Sequence, residues 1–306
     1  MPRARGTESG LTGILLVDKP PGWTSHDVVA RVRGLSGQRQ IGHSGTLDPM
    51  ATGLLVLCLG RATRLVEYMV GHDKAYQGVI QLGTSTATDD AEGEVVERAA
   101  VPTLTADDLR RVAVAFTGRI EQVPPAYSAV KVAGQRAYAV ARRGGAVALG
   151  ARAVIVHELA LELDASDRLR IDVRCGSGTY VRSLARDIGA ALGALGHLAA
   201  LRRTKVGAFG VDEAVPLATL TEVPRERFAE LLLPVDEGVL DLDAAIVSDG
   251  HGALLAHGGR IQAVAERPAE HARVYTVTGE FVGIGAVDVP GVVRPVKVLT
   301  VPNLPS

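Results

Sequence analysis

The loop Gly42-His43-Ser44-Gly45-Thr46-Leu47-Asp48-Pro49 concentrates more reactive side-chain types than any other stretch of this 306-residue chain. A serine hydrolase would need Ser, His and an acid meeting in space, with the nucleophile on a strained turn. The G-x-S-x-G elbow that supplies such a turn is absent, because the local order is G-H-S-G. The adjacent His43 and Ser44 are also poorly placed to form a triad with one another. Two readings stay open on the residues alone. In one, Asp48 caps a turn and His43 is an exposed loop residue. In the other, Asp48 is an ionised carboxylate in a cleft, acting as nucleophile or electrostatic stabiliser. Desolvation would neutralise such a carboxylate unless a cation stood beside it, and Arg182 is the best candidate for that cation.

Other motifs exclude chemistry rather than assign it. Gly176-Ser177-Gly178 could begin a dinucleotide fingerprint, but the third glycine position holds Val181, so a strand-to-helix turn is the better reading. The acidic run Asp89, Asp90, Glu92, Glu94 lacks calcium-loop spacing and reads as a solvated hairpin. Cys58 and Cys175 sit in apolar runs with no partner at ligand spacing, so buried, reduced thiols are expected. The net charge of −1 opposes a simple nucleic-acid reading, yet the charge is uneven. Residues 1–64 carry eight Lys/Arg against four acids, and residues 170–205 carry seven against two. Either stretch could face a phosphate backbone. The start MPRARGTESG has no apolar core, and no apolar run approaches bilayer length, so a soluble cytoplasmic protein is expected.

The elements that must hold these residues can be read from periodicity. GILLVDKPPGW is a buried strand entering a turn, and TSHDVVARVRGL is a capped helix with Val28, Val29, Val32 and Leu35 at helical spacing. Asp48 therefore lies on a loop feeding the apolar strand LLVLCLG, with its backbone kept extended by Pro49. KAYQGVIQLG alternates as a strand. TADDLRRVAVAFTG is a helix behind a Thr105/Asp108 capping box. AVIVHELALELD and RLRIDVRCG form an antiparallel pair, and TYVRSLARDIGAALG is a helix carrying Arg182 and Arg186 on neighbouring turns. Strands outnumber helices without a βαβ rhythm, which indicates an α+β fold. From about residue 239, short strands separated by Gly, Pro and Asp read as a small β-rich module.

GHSGTLDPMATGLL, with VDKPPGWTS before it and KAYQGVIQLG, PPAYSAVKVAGQRAY, GTYVRSLARDIG and LRRTKVG after it, resembles the tRNA pseudouridine-55 synthases of the bacterial TruB type in motif order and spacing over about residues 11–210. The resemblance implies a catalytic domain over 1–238 with a mixed, largely antiparallel sheet and flanking helices. It also implies an RNA-gripping insertion at about 124–152 carrying Arg142-Arg143, and a PUA-like domain over 239–306. The chain departs from a typical member of that family in its Ala- and Gly-rich, weakly basic composition and its sparse C-terminal module, which does not favour RNA binding by that module.

By the same resemblance, Asp48 is the catalytic aspartate of uridine-to-pseudouridine isomerisation at position 55 in the T-arm loop of tRNA, and Arg182 pairs with it. Tyr76 stacks on the uracil and offers a hydroxyl for proton transfer, while Tyr180 and Leu201 line the pocket. His43 lies near the stack vacated by the flipped base, and Lys19 sits near the site. The reaction requires no metal or cofactor. The tRNA T-arm stem-loop is the expected partner, with no membrane or obligatory protein partner, and a monomer suffices. The rival class is a non-catalytic RNA-binding or tRNA-folding protein using the same cleft.

Overall fold

The apolar run Leu54–Leu59 forms most of a strand that is covered on both faces, and the fold is organised around it. Alternate residues enter two cores: Leu55, Leu57 and Leu59 one, Leu54, Val56 and Cys58 the other. A continuous apolar run is the pattern expected of a strand with no solvent face. The computed structural model describes residues 10–128, 131–132, 135–136, 149–256, 259–289 and 291–299.

The chain opens with β1 (Gly13–Lys19), then α1 (Ser25–Ser36), the short β2 (Ile41–His43) and β3 (Thr52–Leu59). The Thr24 hydroxyl accepts from the Asp27 N–H, and Gly37 closes α1 in the left-handed region. A short helix, α2 (Val66–Val70), leads to β4 (Lys74–Leu82) and to a hairpin of β5 (Thr84–Thr86) and β6 (Val95–Arg98). Next come α3 (Ala106–Ala115) behind the expected Thr105/Asp108 box, and β7 (Gly118–Gln122). A small hairpin of β8 (Lys131–Val132) and β9 (Gln135–Arg136) precedes the long antiparallel pair β10 (Arg152–Ala165) and β11 (Arg168–Cys175). The first part ends with α4 (Val181–Ala191), β12 (Gly196–Val206), β13 (Phe209–Gly210) and β14 (Val215–Pro216).

Ten of these strands form one sheet, ordered β14-β1-β3-β12-β4-β11-β10-β7, with β2 beside β3 and β13 beside β12. The β1–β14 and β3–β12 pairings are parallel and the others antiparallel, so the sheet is mixed and largely antiparallel, as expected. Helices α1, α3 and α4 turn their apolar stripes into the larger core. On α4 those residues are Val181, Leu184, Ala185 and Ile188.

The second sheet has six strands, β15 (Asp243–Val247), β16 (Ile261–Gln262), β17 (Val264–Ala265), β18 (Ala269–Thr276), β19 (Phe281–Val289) and β20 (Val292–Val298). The β-rich reading of this region overlooked a helix, α5 (Asp249–Ala256), because DGHGALLA has too short an apolar stretch to show a period. The second sheet rests on the segment before and within α2. Arg61 and Arg64 donate to the Leu299 and Val298 carbonyls, and Leu65 packs with Val239, Ile284 and Leu299. Among the described residues no helix is long and apolar enough to cross a membrane. Of the 124–152 insertion only the ends and the β8–β9 hairpin are described, and Arg142 and Arg143 lie outside the described residues.

Candidate active site

Four adjacent central strands bring distant residues to one cleft of about 530 Å³, a volume suited to a nucleoside-sized ligand. Asp48 comes from the loop entering β3, Leu201 and Arg203 from β12, Tyr76 from β4, and Tyr180 and Arg182 from the turn and helix that follow β11. Register fixes this meeting: Arg203 lies beside Tyr76 on one side and Gly53 on the other. Gly53 has φ +97°, and a Cβ there would lie 2.3 Å from the Arg203 carbonyl oxygen, so the approach of β3 to β12 admits only glycine.

The loop carrying Asp48 is fastened from beneath. Ser25 Oγ donates to the Leu47 carbonyl (3.1 Å) and accepts from the Leu47 N–H (2.8 Å). Arg203, 1% exposed, donates through Nη2 to Gly45 O (3.0 Å), through Nη1 to Thr46 O (3.3 Å) and through Nε to Leu54 O (2.7 Å). Lys19 is 0% exposed, and its ammonium donates to the carbonyls of Pro20 (3.0 Å), Trp23 (2.6 Å) and Pro49 (3.1 Å). Burial pushes the Lys19 ammonium down to about 8. Lys19 thus lies under the loop, outside the residues that line the cleft, with its three donors satisfied internally. Replacing it with Met (Lys19→Met) strands three carbonyls, a loss of about 1–3 kcal/mol. Thermal melting should show a lower Tm, and steady-state kinetics should show kcat falling more than KM changes.

Asp48 is held by one arginine that also holds a second acid. Arg182 Nε donates to Asp48 Oδ2 at 3.0 Å, and Nη1 lies 3.3 Å from Asp90 Oδ2. The remaining donors go to main-chain oxygens, Nη1 to Thr88 O (2.9 Å) and Nη2 to Tyr127 O (3.0 Å). The Asp48 side chain is 40% exposed, but it opens into the cleft and is otherwise surrounded by protein. Burial therefore dominates and raises its carboxyl above the ordinary carboxylate range; Arg182 opposes that rise and Asp90 reinforces it.

Asp90 corrects the solvated-hairpin reading of the acidic run. It is 3% exposed, and its Oδ1 accepts from the Thr88 hydroxyl and the Glu92 N–H. Its neighbour Asp89, at φ +59°, pairs with Arg186 at 2.8 Å. Hydrogen bonds from Ala91 N–H to Leu198 O and from Leu198 N–H to Asp89 O stitch this loop to β12. Two of the acids face the arginines of α4 because the hairpin folds back over the helix.

The basic stretch over 170–205 is likewise corrected. Arg170, Arg174, Arg182, Arg186 and Arg202 are ion-paired, and Arg203 is buried against carbonyls. Among the described residues only Lys205 of the seven has no such partner.

Burial raises the pKa of Tyr76 and of Tyr180, so both phenols are protonated at neutral pH. The Tyr180 main chain is fixed by Gln122, which accepts from its N–H (2.8 Å) and donates to its carbonyl (3.1 Å). His43 stands back from the cleft, its ring 5.9 Å from that of His26, which does line it. Burial lowers the His43 pKa, keeping the ring neutral. Gly176–Gly178 form the expected turn, with Gly178 at φ +85°, on the rim of the cleft. Cys58 and Cys175 are free and buried, with their thiols pushed up to about 12 and about 11. Sequence reasoning overlooked Asp90, Arg203, Lys74 and Ser128 as parts of this site. For Arg203 a signal existed, since it shares the inward face of β12 with Leu201.

Matches to known proteins extend over most of the chain. The pattern described as TruB family pseudouridylate synthase (N terminal domain) matches residues 33–181. Those described as tRNA pseudouridylate synthase B C-terminal domain and Pseudouridine synthase II TruB, C-terminal, match 182–240 and 244–299. A protein of Leifsonia xyli subsp. xyli named tRNA pseudouridine synthase B is 54% identical over 82% of this chain and 83% of its own length. One of the same name from Arthrobacter sp. is 44% identical over 96% of this chain and 98% of its own. Among solved structures, a chain of a Cbf5-Nop10-Gar1 complex superposes with a TM-score of 0.73 at 25% identity, covering 96% of this chain and 88% of its own.

Proposed function

The chain belongs to the TruB family of pseudouridylate synthases and is an isomerase acting on uridine in tRNA, and from that premise we propose that it converts uridine 55, in the T-arm loop, to pseudouridine with Asp48 as the catalytic residue. The observation that carries the site assignment is the pairing of Asp48, in the lining of the cleft, with Arg182, which also holds the buried Asp90. A carboxylate opening into the cleft, with one oxygen held by a guanidinium, keeps its charge beside the cation and leaves its other oxygen for a bound nucleoside.

The target base is stacked inside the T-loop and reaches Asp48 only after flipping, at a cost of a few kcal/mol. Tyr76 offers a ring face to the flipped uracil, Tyr180 and Leu201 close the pocket around it, and His43 offers a planar face near the vacated stack. Asp48 then promotes cleavage of the N1–C1′ bond, either by attacking C1′ or by assisting departure of uracil through a glycal. The uracil turns, C5 bonds to C1′, the C5 proton leaves and N1 gains one, so product and substrate are isomers. We place the catalytic domain at residues 1–238 and a C-terminal, PUA-like domain at 239–306. The catalytic portion grips the T-arm stem-loop, and the protein works as a monomer.

A tRNA transcript tritiated at uridine C5 tests this reading. Tritium should reach solvent with the wild-type protein, and mapping should find the modified base at position 55. Release mapped elsewhere would refute the position, and no release despite tight tRNA binding would favour the RNA-binding rival.

A further inference from the structure

Ser128 is 4% exposed, lines the same cleft as Asp48, and its Oγ has no hydrogen-bond partner among the described residues. A buried hydroxyl without a partner is unusual, because the group has lost its water without compensation. Nothing in the clamps described above explains it. Its main chain is well held: Arg182 Nη2 donates to the preceding carbonyl, Tyr127 O, at 3.0 Å, while Ser183 and Arg186 both donate to Val123 O at 2.9 Å. The Ser128 and Tyr180 hydroxyls approach each other, enough for Ser128 to offset part of the burial-driven rise in the Tyr180 pKa, without meeting in hydrogen-bonding geometry.

We propose that the Ser128 hydroxyl contacts the bound nucleoside, donating to an exocyclic oxygen close to the glycosidic bond, either O2 of uracil or O2′ of ribose. The inference rests on the pseudouridylation reading and adds a substrate contact to it. One guanidinium relates the two residues: Arg182 binds Asp48 through Nε and the carbonyl just before Ser128 through Nη2. With C1′ at the Asp48 carboxylate and Ser128 lining the same cleft, the exocyclic oxygens nearest C1′ are O2′, reached through C2′, and O2 of uracil, reached through N1 and C2. The desolvation that the free protein tolerates at Ser128 is relieved when substrate supplies the partner, so the contact favours the productive pose.

Ser128→Ala and Ser128→Thr test this in the full-length protein, using T-arm stem-loops with uridine, 2′-deoxyuridine or 2-thiouridine at the target. Single-turnover rates are read where turnover occurs, and dissociation constants where it does not. On uridine RNA, Ser128→Ala should lower kcat/KM roughly 3- to 15-fold, the worth of one neutral hydrogen bond, with no fall in Tm, and Ser128→Thr should restore most of it. The substrate lacking the true partner should make wild type and Ser128→Ala converge: the 2′-deoxy RNA if O2′ is the partner, the 2-thio RNA if O2 is. Equal activity of wild type and Ser128→Ala on uridine RNA would overturn the proposal, as would a deficit that neither analogue removes. A wild type that binds the uridine RNA without releasing tritium would instead remove the pseudouridylation reading itself, an outcome that the wild-type control separates from the others.

Discussion

Asp48→Asn should abolish isomerisation, with a fall on the order of 10⁴-fold or more in tritium release, while tRNA affinity stays within a few-fold of wild type. The amide keeps the size of the side chain and can still accept from Arg182 Nε, so the cleft retains its shape. What it loses is the negative charge that either route at C1′ requires. The fold should not suffer. The carboxyl of Asp48 is raised in the folded protein by burial, so at neutral pH its ionised form is less favourable there than in the unfolded chain. A neutral amide removes that penalty, and the Tm of the variant should equal or exceed that of wild type. Lost activity with a lower Tm would point to a structural aspartate and against the catalytic assignment. The same reasoning sets the acid limb of the pH–rate profile. Activity needs the carboxylate, is present above the Asp48 pKa and is lost as pH falls through it, at a pH above the ordinary carboxylate range.

Arg182→Gln should damage stability and activity together. Arg182 is buried and holds two acids and two main-chain carbonyls. Removing it leaves Asp90 as a buried charge without its cation, a loss of about 3–5 kcal/mol. That corresponds to a drop in Tm of roughly 5–15 °C for a protein of this size. Activity should fall at least about 100-fold, because the Tyr127 wall and the Asp48 carboxylate both lose their anchor. Arg182 lowers the Asp48 pKa, so the acid limb of any residual activity should move to higher pH. Lys at this position should not rescue, since an ammonium cannot reproduce four contacts spread over a planar fork. Combining Arg182→Gln with Asp90→Asn separates the two effects: the Tm should recover in part, whereas activity should not. Additive losses of stability would show that Asp90 and Arg182 do not act as a pair.

Periodicity and capping chemistry are local properties, and wherever they decide the outcome the sequence was legible. The Val28/Val29/Val32 stripe behind Thr24, the Thr105/Asp108 box and the apolar run of β3 are written within a dozen residues each, and all are found as read. The family was legible for a related reason, since the motif around Asp48 and its companions keeps its order along the chain. Partners across the chain were not legible. Asp90 looked like one acid in a hydrated run, and its burial arises because the β5–β6 hairpin is stitched to β12 more than a hundred residues later. Counting Lys and Arg over 170–205 overstated the basic surface for the same reason, as most of those cations meet acids brought in from other strands and loops. Lys19 looked like a site residue by position, and its ammonium meets three carbonyls under the loop. Backbone propensity and side-chain periodicity depend on neighbours in sequence, and so belong to the chain alone. Burial, ion pairing and the orphaned Ser128 hydroxyl depend on neighbours in space, and those exist only once β3, β12, β4 and β11 lie side by side.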